Sequence, residues 1–188
     1  MIRHFVTDRV RFGLTPAALV ERAALAPARG AHLIQVRERD LDDAALLALV
    51  TGVIQAVRGA GVPVIVNDRV DVALAAGAAG VHLRGDSPPA ARIRTIVPSG
   101  FLVGRSVHTL EEIDAAAASG GCDYLMFGTV FPSAGKPAGH PVAGLDGLAR
   151  AVLHSRLPVV AIGGMTPDRE ADVARAGAAG LAAVGWFM

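Results

Sequence analysis

Short apolar runs of four to six residues recur along the chain. Each is followed by a cluster of polar side chains and then by a segment of helical period, and this alternation limits the fold more than any other feature. The runs start near Arg3, His32, Val62, Gly80, Phe101, Tyr124, Pro158 and Leu181, and Val64-Ile65-Val66-Asn67-Asp68-Arg69 shows the pattern. Runs this short and this apolar read as strands buried on both faces. Between them Leu46, Leu47, Val50, Val53, Ile54 and Val57 fall on one side of a 3.6-residue helix. Eight strands with helical segments between them in 188 residues predict a single α/β domain over 1–188, a (β/α)8 TIM barrel lacking its last helix.

The composition agrees, because apolar residues make up 52% and aromatics 4%, so the interior must be assembled from Ala, Val, Leu and Ile. Eighteen basic against 17 acidic side chains leave a net charge of +1 with no basic, aromatic-interleaved stripe, which argues against a nucleic-acid partner. The N-terminal run Met1-Ile2-Arg3-His4-Phe5-Val6 has neither a basic leader nor a long apolar stretch, so neither secretion nor membrane insertion is indicated. A lone Cys122 amid apolar neighbours reads as a buried, inert thiol in a reducing, cytoplasmic setting.

Helix starts are signalled by Thr15-Pro16, Ser87-Pro88 and Thr166-Pro167, each a capping residue followed by proline, and Thr109 with Glu112 has the spacing of a capping box. Small-residue turns lead into the strands. Two of them, Ala76-Gly77-Ala78-Ala79-Gly80 and Ala176-Gly177-Ala178-Ala179-Gly180, match residue for residue. Turns leading out of the strands carry Arg37, Glu38, Arg39, Asn67, Asp68, Arg69, Asp86, Ser106, His108, Ser133 and Lys136, so one rim is expected to hold the chemistry.

Strand parity puts Gln35, Arg37 and Arg39 on one face and Ser106 with His108 on another. The arginine pair suits phosphate or pyrophosphate, the alternative being ion pairing with Glu38 or Asp40. Asp68 and Asp86 end successive strands and could share one Mg²⁺ with substrate oxygens, although Asp86 could instead begin a helix. Ala161-Ile162-Gly163-Gly164-Met165 would bring backbone N–H groups close to an anion. The stretch from Phe131 to Pro141 reads as a flap whose anion contact is Lys136. His108 is a candidate acid, base or donor, whereas His82 reads as a hydrogen-bonded barrel residue.

Taken in order, Gln35-Val36-Arg37-Glu38-Arg39, Val66-Asn67-Asp68-Arg69, Gly80-Val81-His82-Leu83 with Asp86, Gly104-Arg105-Ser106-Val107-His108, Phe127-Gly128-Thr129-Val130-Phe131 and Val160-Ala161-Ile162-Gly163-Gly164-Met165 resemble the thiamine phosphate synthase and thiazole tautomerase superfamily. The resemblance spans essentially the whole chain. It implies a transferase that joins hydroxymethylpyrimidine diphosphate to thiazole phosphate and releases pyrophosphate. It also implies that Asp68 and Asp86 hold Mg²⁺ and that Arg37, Asn67 and Lys136 bind the leaving group, with Arg39 where that motif usually has lysine. Ser106 would meet the pyrimidine and Gly163 and Gly164 the thiazole phosphate. Catalytic roles fall to Arg37, Ser106 and Lys136, with Gln35, Arg39, His108 and Ser133 among the substrate contacts.

Some positions depart from the synthase pattern. The flap reads Ser133-Ala134-Gly135-Lys136 where threonines are usual, and Gly185-Trp186 replaces a serine beside the phosphate, so the bulk of Trp186 is expected to bear on that pocket. A tautomerase-like isomerase is the alternative, but that branch has a histidine where this chain has Thr129, leaving His108 or His140 to take over. A catalytically silent phosphate-ligand barrel is the third reading. The sequence has no eighth helix after the last strand, so that face is expected to be covered by a partner subunit, as in a homodimer, or by a tail beyond Met188.

Overall fold

The computed structural model describes residues 1–137 and 139–188, so within the expected flap Ala138 lies outside the described residues. Eight parallel strands close on themselves in chain order: β1 (Ile2–Val6), β2 (Leu33–Val36), β3 (Val64–Asn67), β4 (Gly80–Leu83), β5 (Leu102–Val107), β6 (Tyr124–Phe127), β7 (Val159–Ile162) and β8 (Gly180–Ala183), with β8 paired to β1. Every strand begins within two residues of its expected start. Around them run α1 (Pro16–Leu25), α2 (Asp43–Val57), α3 (Val70–Ala75), α4 (Ala90–Arg94), α5 (Leu110–Ser119), α6 (Gly144–His154) and α7 (Glu170–Arg175), and among the described residues no helix follows β8.

Alternation along the strands divides the core in two. Phe5, Ile34, Val66, Val81, Val103, Leu125, Ala161 and Leu181 meet the helices, where Leu19, Val50, Val53, Val72, Ile113, Leu148 and Val173 are buried. Val6, Leu33, Ile65, Met126, Val160 and Ala182 form a separate cluster with Tyr124. This second set fills the cylinder. Helix α2 is apolar enough to cross a membrane by length and composition when extended to Asp43–Ala60, with mean hydropathy 1.4. Here Leu46, Val50, Val53 and Val57 of its expected face are buried, Leu47 and Ile54 are partly buried, and Leu49, outside that face, is buried as well.

The repeated Ala-Gly-Ala-Ala-Gly turns lie half a barrel apart. A Cβ on Gly80 would stand 2.3 Å from the Leu102 carbonyl oxygen, and one on Gly180 would stand 2.7 Å from that of Ile2. Both glycines therefore let a neighbouring strand approach at the barrel floor, which explains why the motif occurs before β4 and before β8.

Thr15 caps α1 and Thr109 caps α5 through their hydroxyls, at 3.2 Å in each case. Two other helix starts differ from expectation. Helix α4 begins only at Ala90, because Ser87 is used elsewhere: its hydroxyl accepts from the Arg84 N–H at 2.8 Å and donates to Asp68. Thr166 opens a short 3₁₀ turn over Pro167–Arg169 with no side-chain cap, and α7 follows it.

The floor is not free of charge either. Arg94 donates to the carbonyls of Gly121 and Phe101 and pairs with Asp123, which also accepts from the Val103 N–H at 2.7 Å. This charge ties turns together. Cys122 is half-buried rather than buried, and the partial burial raises its thiol pKa, keeping it protonated near neutrality. After β8 the chain turns inward at Phe187, which is fully buried with its ring centroid 5.3 Å from that of Phe5, and Trp186 stacks on it at 5.7 Å.

Candidate active site

The C-terminal ends of the strands surround one cavity of about 820 Å³. Its lining includes Gln35, Arg37, Arg39, Asn67, Asp86, Ser106, His108, Ser133, Lys136, Gly163 and Gly164, so eleven of the twelve residues expected at the site converge on one mouth. Asp68 is the exception. It lies behind the lining, where Ser87 donates to it and Arg84 approaches its Oδ2 at 3.6 Å.

The two guanidinium groups after β2 are left unpaired by their neighbours. Glu38 is 5% exposed and accepts from the Thr7 hydroxyl at 2.6 Å and from the Arg9 N–H at 3.1 Å, while Asp40 pairs with Arg9. Ion pairing of Arg37 or Arg39 with Glu38 or Asp40 was the competing expectation, and Arg9 and Thr7 have taken those carboxylates. Among the described residues neither Arg37 nor Arg39 has a carboxylate partner. Burial, and then the like charges of Arg37 and Arg84, lower the Arg39 pKa, so the mouth concentrates positive charge that an anion would relieve.

Arg84, which the sequence reasoning passed over, sits between the aspartates electrostatically. Its guanidinium reaches Asp86 Oδ2 at 2.5 Å and Asp68 Oδ2 at 3.6 Å. Its place two residues before Asp86, sharing the parity of His82 and Asp86, was the available signal. Asp68 holds a left-handed backbone, φ +63°, in which its N–H donates to the His82 carbonyl at 2.9 Å. Aspartate tolerates this conformation better than most side chains, and the strain has the location expected of a functional turn.

A polar chain threads the cylinder under the mouth. Tyr124, His82 and Ser106 are linked at 3.0 and 2.9 Å through the two ring nitrogens of His82. The buried phenol has no other partner among the described residues, so its O–H donates to Nδ1, and Nε2–H then donates to the Ser106 oxygen. The Ser106 proton is thereby directed towards the cavity. Burial, followed by Arg105, lowers the His82 pKa to about 3, so its ring is neutral at pH 7. A Cβ on Gly104 would fall 2.1 Å from the Tyr124 ring, which shows why this barrel position is glycine. Tyr124→Phe leaves Nδ1 without its donor, and urea denaturation should register a loss of about 1–2 kcal/mol.

Beside this chain Gln35 donates to Asn67 Oδ1 at 3.0 Å. His108 donates from Nδ1 to the Gly128 carbonyl at 2.5 Å, which leaves Nε2 as the ring nitrogen available to a ligand. On the far side Gly163 and Gly164 have φ of +104° and +63°, and a Cβ on either would come within 2.5 Å of Thr129 or Pro132. Only glycine fits both. Neither N–H serves a backbone carbonyl within the described residues. Arg169 donates to the Gly164 carbonyl and lies 4.4 Å over the Phe131 ring, so it fastens this loop to the base of the flap. Lys136 has no ion-pair partner among the described residues, and Arg11 and Trp186 complete the rim. Arg11, Arg169 and Tyr124 had no distinguishing pattern in the sequence.

An eightfold barrel with arginines, carboxylates and glycine amides at its C-terminal mouth places the chain among the (β/α)8-barrel enzymes. Residues 4–186 match the model of the thiamine monophosphate synthase family, and the chain belongs to that family. It is 40% identical over 183 residues to the thiamine-phosphate synthase of Roseiflexus castenholzii, covering 97% of this chain and 79% of that one. A second relative, the thiamine-phosphate synthase of Methanoculleus marisnigri, is 43% identical over 162 residues, or 86% of this chain and 76% of the relative. Among solved structures, thiamine phosphate pyrophosphorylase from Pyrococcus furiosus superposes with a TM-score of 0.84 at 34% identity, covering 97% of this chain and 85% of that one. A 3-hexulose-6-phosphate synthase, TM-score 0.76 at 20% identity over 98% of this chain and 90% of that one, shares the fold.

Proposed function

We propose that the protein is a thiamine phosphate synthase, which breaks the bond between the methylene carbon of hydroxymethylpyrimidine diphosphate and its diphosphate oxygen and joins that carbon to the ring nitrogen of thiazole phosphate. The observation that carries this reading is the pair of unpartnered guanidinium groups, Arg37 and Arg39, facing a cavity that Lys136 and Arg84 also line. Three cations without ion-pair partners among the described residues, Arg37, Arg39 and Lys136, around one cavity suit a departing diphosphate. A pyrimidine-stabilised cation forms as the leaving group separates, so the site's work is neutralising and positioning, with no strong base needed.

In this scheme Arg37, Arg39, Asn67 and Lys136 bind the diphosphate, with Ser133 supporting the flap. Gln35 and the Ser106 hydroxyl orient the pyrimidine, and the Gly163 and Gly164 amides receive the thiazole phosphate. His108 offers Nε2 to the same space.

The aspartate pair fits Mg²⁺ by its donor chemistry, since Asp68 and Asp86 already share one cation, the Arg84 guanidinium. No larger group of metal-ligating side chains occurs among the described residues, so substrate oxygens and water would complete the shell, as magnesium usually allows. When bound, the ion would supply positive charge to the leaving diphosphate.

Purified protein mixed with both phosphorylated precursors should release pyrophosphate and form thiamine phosphate in a chelator-sensitive way. Absence of turnover with bound thiazole phosphate would mean a silent barrel instead. One observation favours the tautomerase-like reading: Thr129, at the position where that branch has histidine, is hydrogen-bonded at 3.2 Å to His140 Nε2. Isomerisation of the thiazole carboxylate phosphate that is indifferent to chelator would establish it. A homodimer and a cytoplasmic location belong to the same proposal, and a monomer in sedimentation at micromolar concentration would remove the first.

A further inference from the structure

Arg84 occupies a position that is hard to reconcile with simple substrate binding. It lines the cavity, whereas Asp68 behind it does not, and its guanidinium is held at 2.5 Å from Asp86 and 3.6 Å from Asp68. Ser87 reinforces the arrangement, accepting from the Arg84 N–H and donating to Asp68. The Arg84 side chain is 44% exposed, so nothing buries it in place and it is free to swing away.

We propose that Arg84 is an internal counter-ion that competes with the divalent cation for Asp68 and Asp86 and is handed to the diphosphate when the metal enters; this rests on the metal reading given above. A cation arriving alone must displace a positive charge with no anion to receive it. A cation arriving with diphosphate supplies that anion, on the wall where Arg37 and Arg39 already lie. Arg84 therefore couples metal loading to substrate loading, and keeps the aspartates from holding a cation before the leaving group is present.

The test uses the full chain and two probes, Mn²⁺ alone followed by electron paramagnetic resonance, and the preformed one-to-one complex of Mn²⁺ with pyrophosphate followed by calorimetry. Removing two partly exposed ion pairs and one nearby positive charge should make Arg84→Ala bind Mn²⁺ alone about tenfold more tightly than the wild type. Affinity for the complex should stay level or fall, because the handed-over guanidinium is gone. Arg84→Lys should lie between, and the double variant Asp68→Asn, Asp86→Asn should lose binding of Mn²⁺ alone and bind the complex more weakly than the wild type, through its phosphates only.

If Arg84→Ala gains nothing for Mn²⁺ alone, or gains equally for the complex, the competition is overturned while the metal site stands. If the wild type, Arg84→Ala and the double aspartate variant are indistinguishable, the metal reading falls and takes the inference with it. Circular dichroism of each variant checks that the barrel is intact.

Discussion

Asp68→Asn is expected to lower kcat/KM for the coupling reaction about a hundredfold while leaving the thermal midpoint nearly unchanged. The substitution is chosen for the backbone, because asparagine accepts the left-handed φ of +63° found at this position. It also preserves an oxygen for the Ser87 hydroxyl. What it removes is the negative charge, one of the two that would hold Mg²⁺, and with it the reason for the leaving diphosphate to be neutralised. The stability effect is small, since the ion pair lost is with Arg84, itself 44% exposed. Steady-state kinetics at saturating and limiting Mg²⁺ give the result, and a loss under threefold at both would remove Asp68 from the metal site.

Acid should weaken the fold in a defined window, between pH 6.5 and about 3. His4 is fully buried inside the cylinder with no protein partner for either ring nitrogen among the described residues, and burial followed by the neighbouring His82 lowers its pKa from 6.5 to about 3. The groups facing it are His82, with ring centroids 6.5 Å apart, and Tyr124 at 6.2 Å. A depressed folded-state pKa means that the unfolded chain takes up the proton first. The associated stability is therefore fully present above pH 6.5 and is lost as the pH falls towards 3.

A shift of this size corresponds to about 5 kcal/mol for His4, and His82 shifts in the same direction. With two protons taken up, the free energy of unfolding in urea should fall by about 2–3 kcal/mol per pH unit across the middle of that window. His4→Leu should roughly halve this slope, because leucine suits the apolar layer of Val6, Leu33 and Ile65 and does not titrate. An unchanged slope in that variant would show that the loss of stability comes from the carboxylates instead.

Most of the site was legible before any coordinates because a parallel barrel sends every strand end to the same rim. Knowing the strands was therefore enough to know that Arg37, Asn67, Asp86, Ser106, Lys136 and Gly164 meet. Ser87 was misread because its local signal, a capping residue before Pro88, is genuine but loses to a tertiary partner, Asp68. Arg84 and Tyr124 were missed for a related reason. Their significance lies wholly in the partners that contact across strands provide: Asp68 for Arg84, His82 for Tyr124.

The sequence by itself determined the number and order of the strands, the side of the barrel that carries charge, and the residues that could bind phosphate. These depend on local periodicity and turn chemistry, which act over a few residues. Only the tertiary structure decided which charges are spent on one another. Arg9 and Thr7 hold Glu38, so Arg37 and Arg39 stand free, and Arg84 holds both aspartates. Pairing energies fall off within a few ångströms, and in this barrel they act between residues 19 to 31 positions apart as well as between near neighbours, so spacing along the chain cannot rank them.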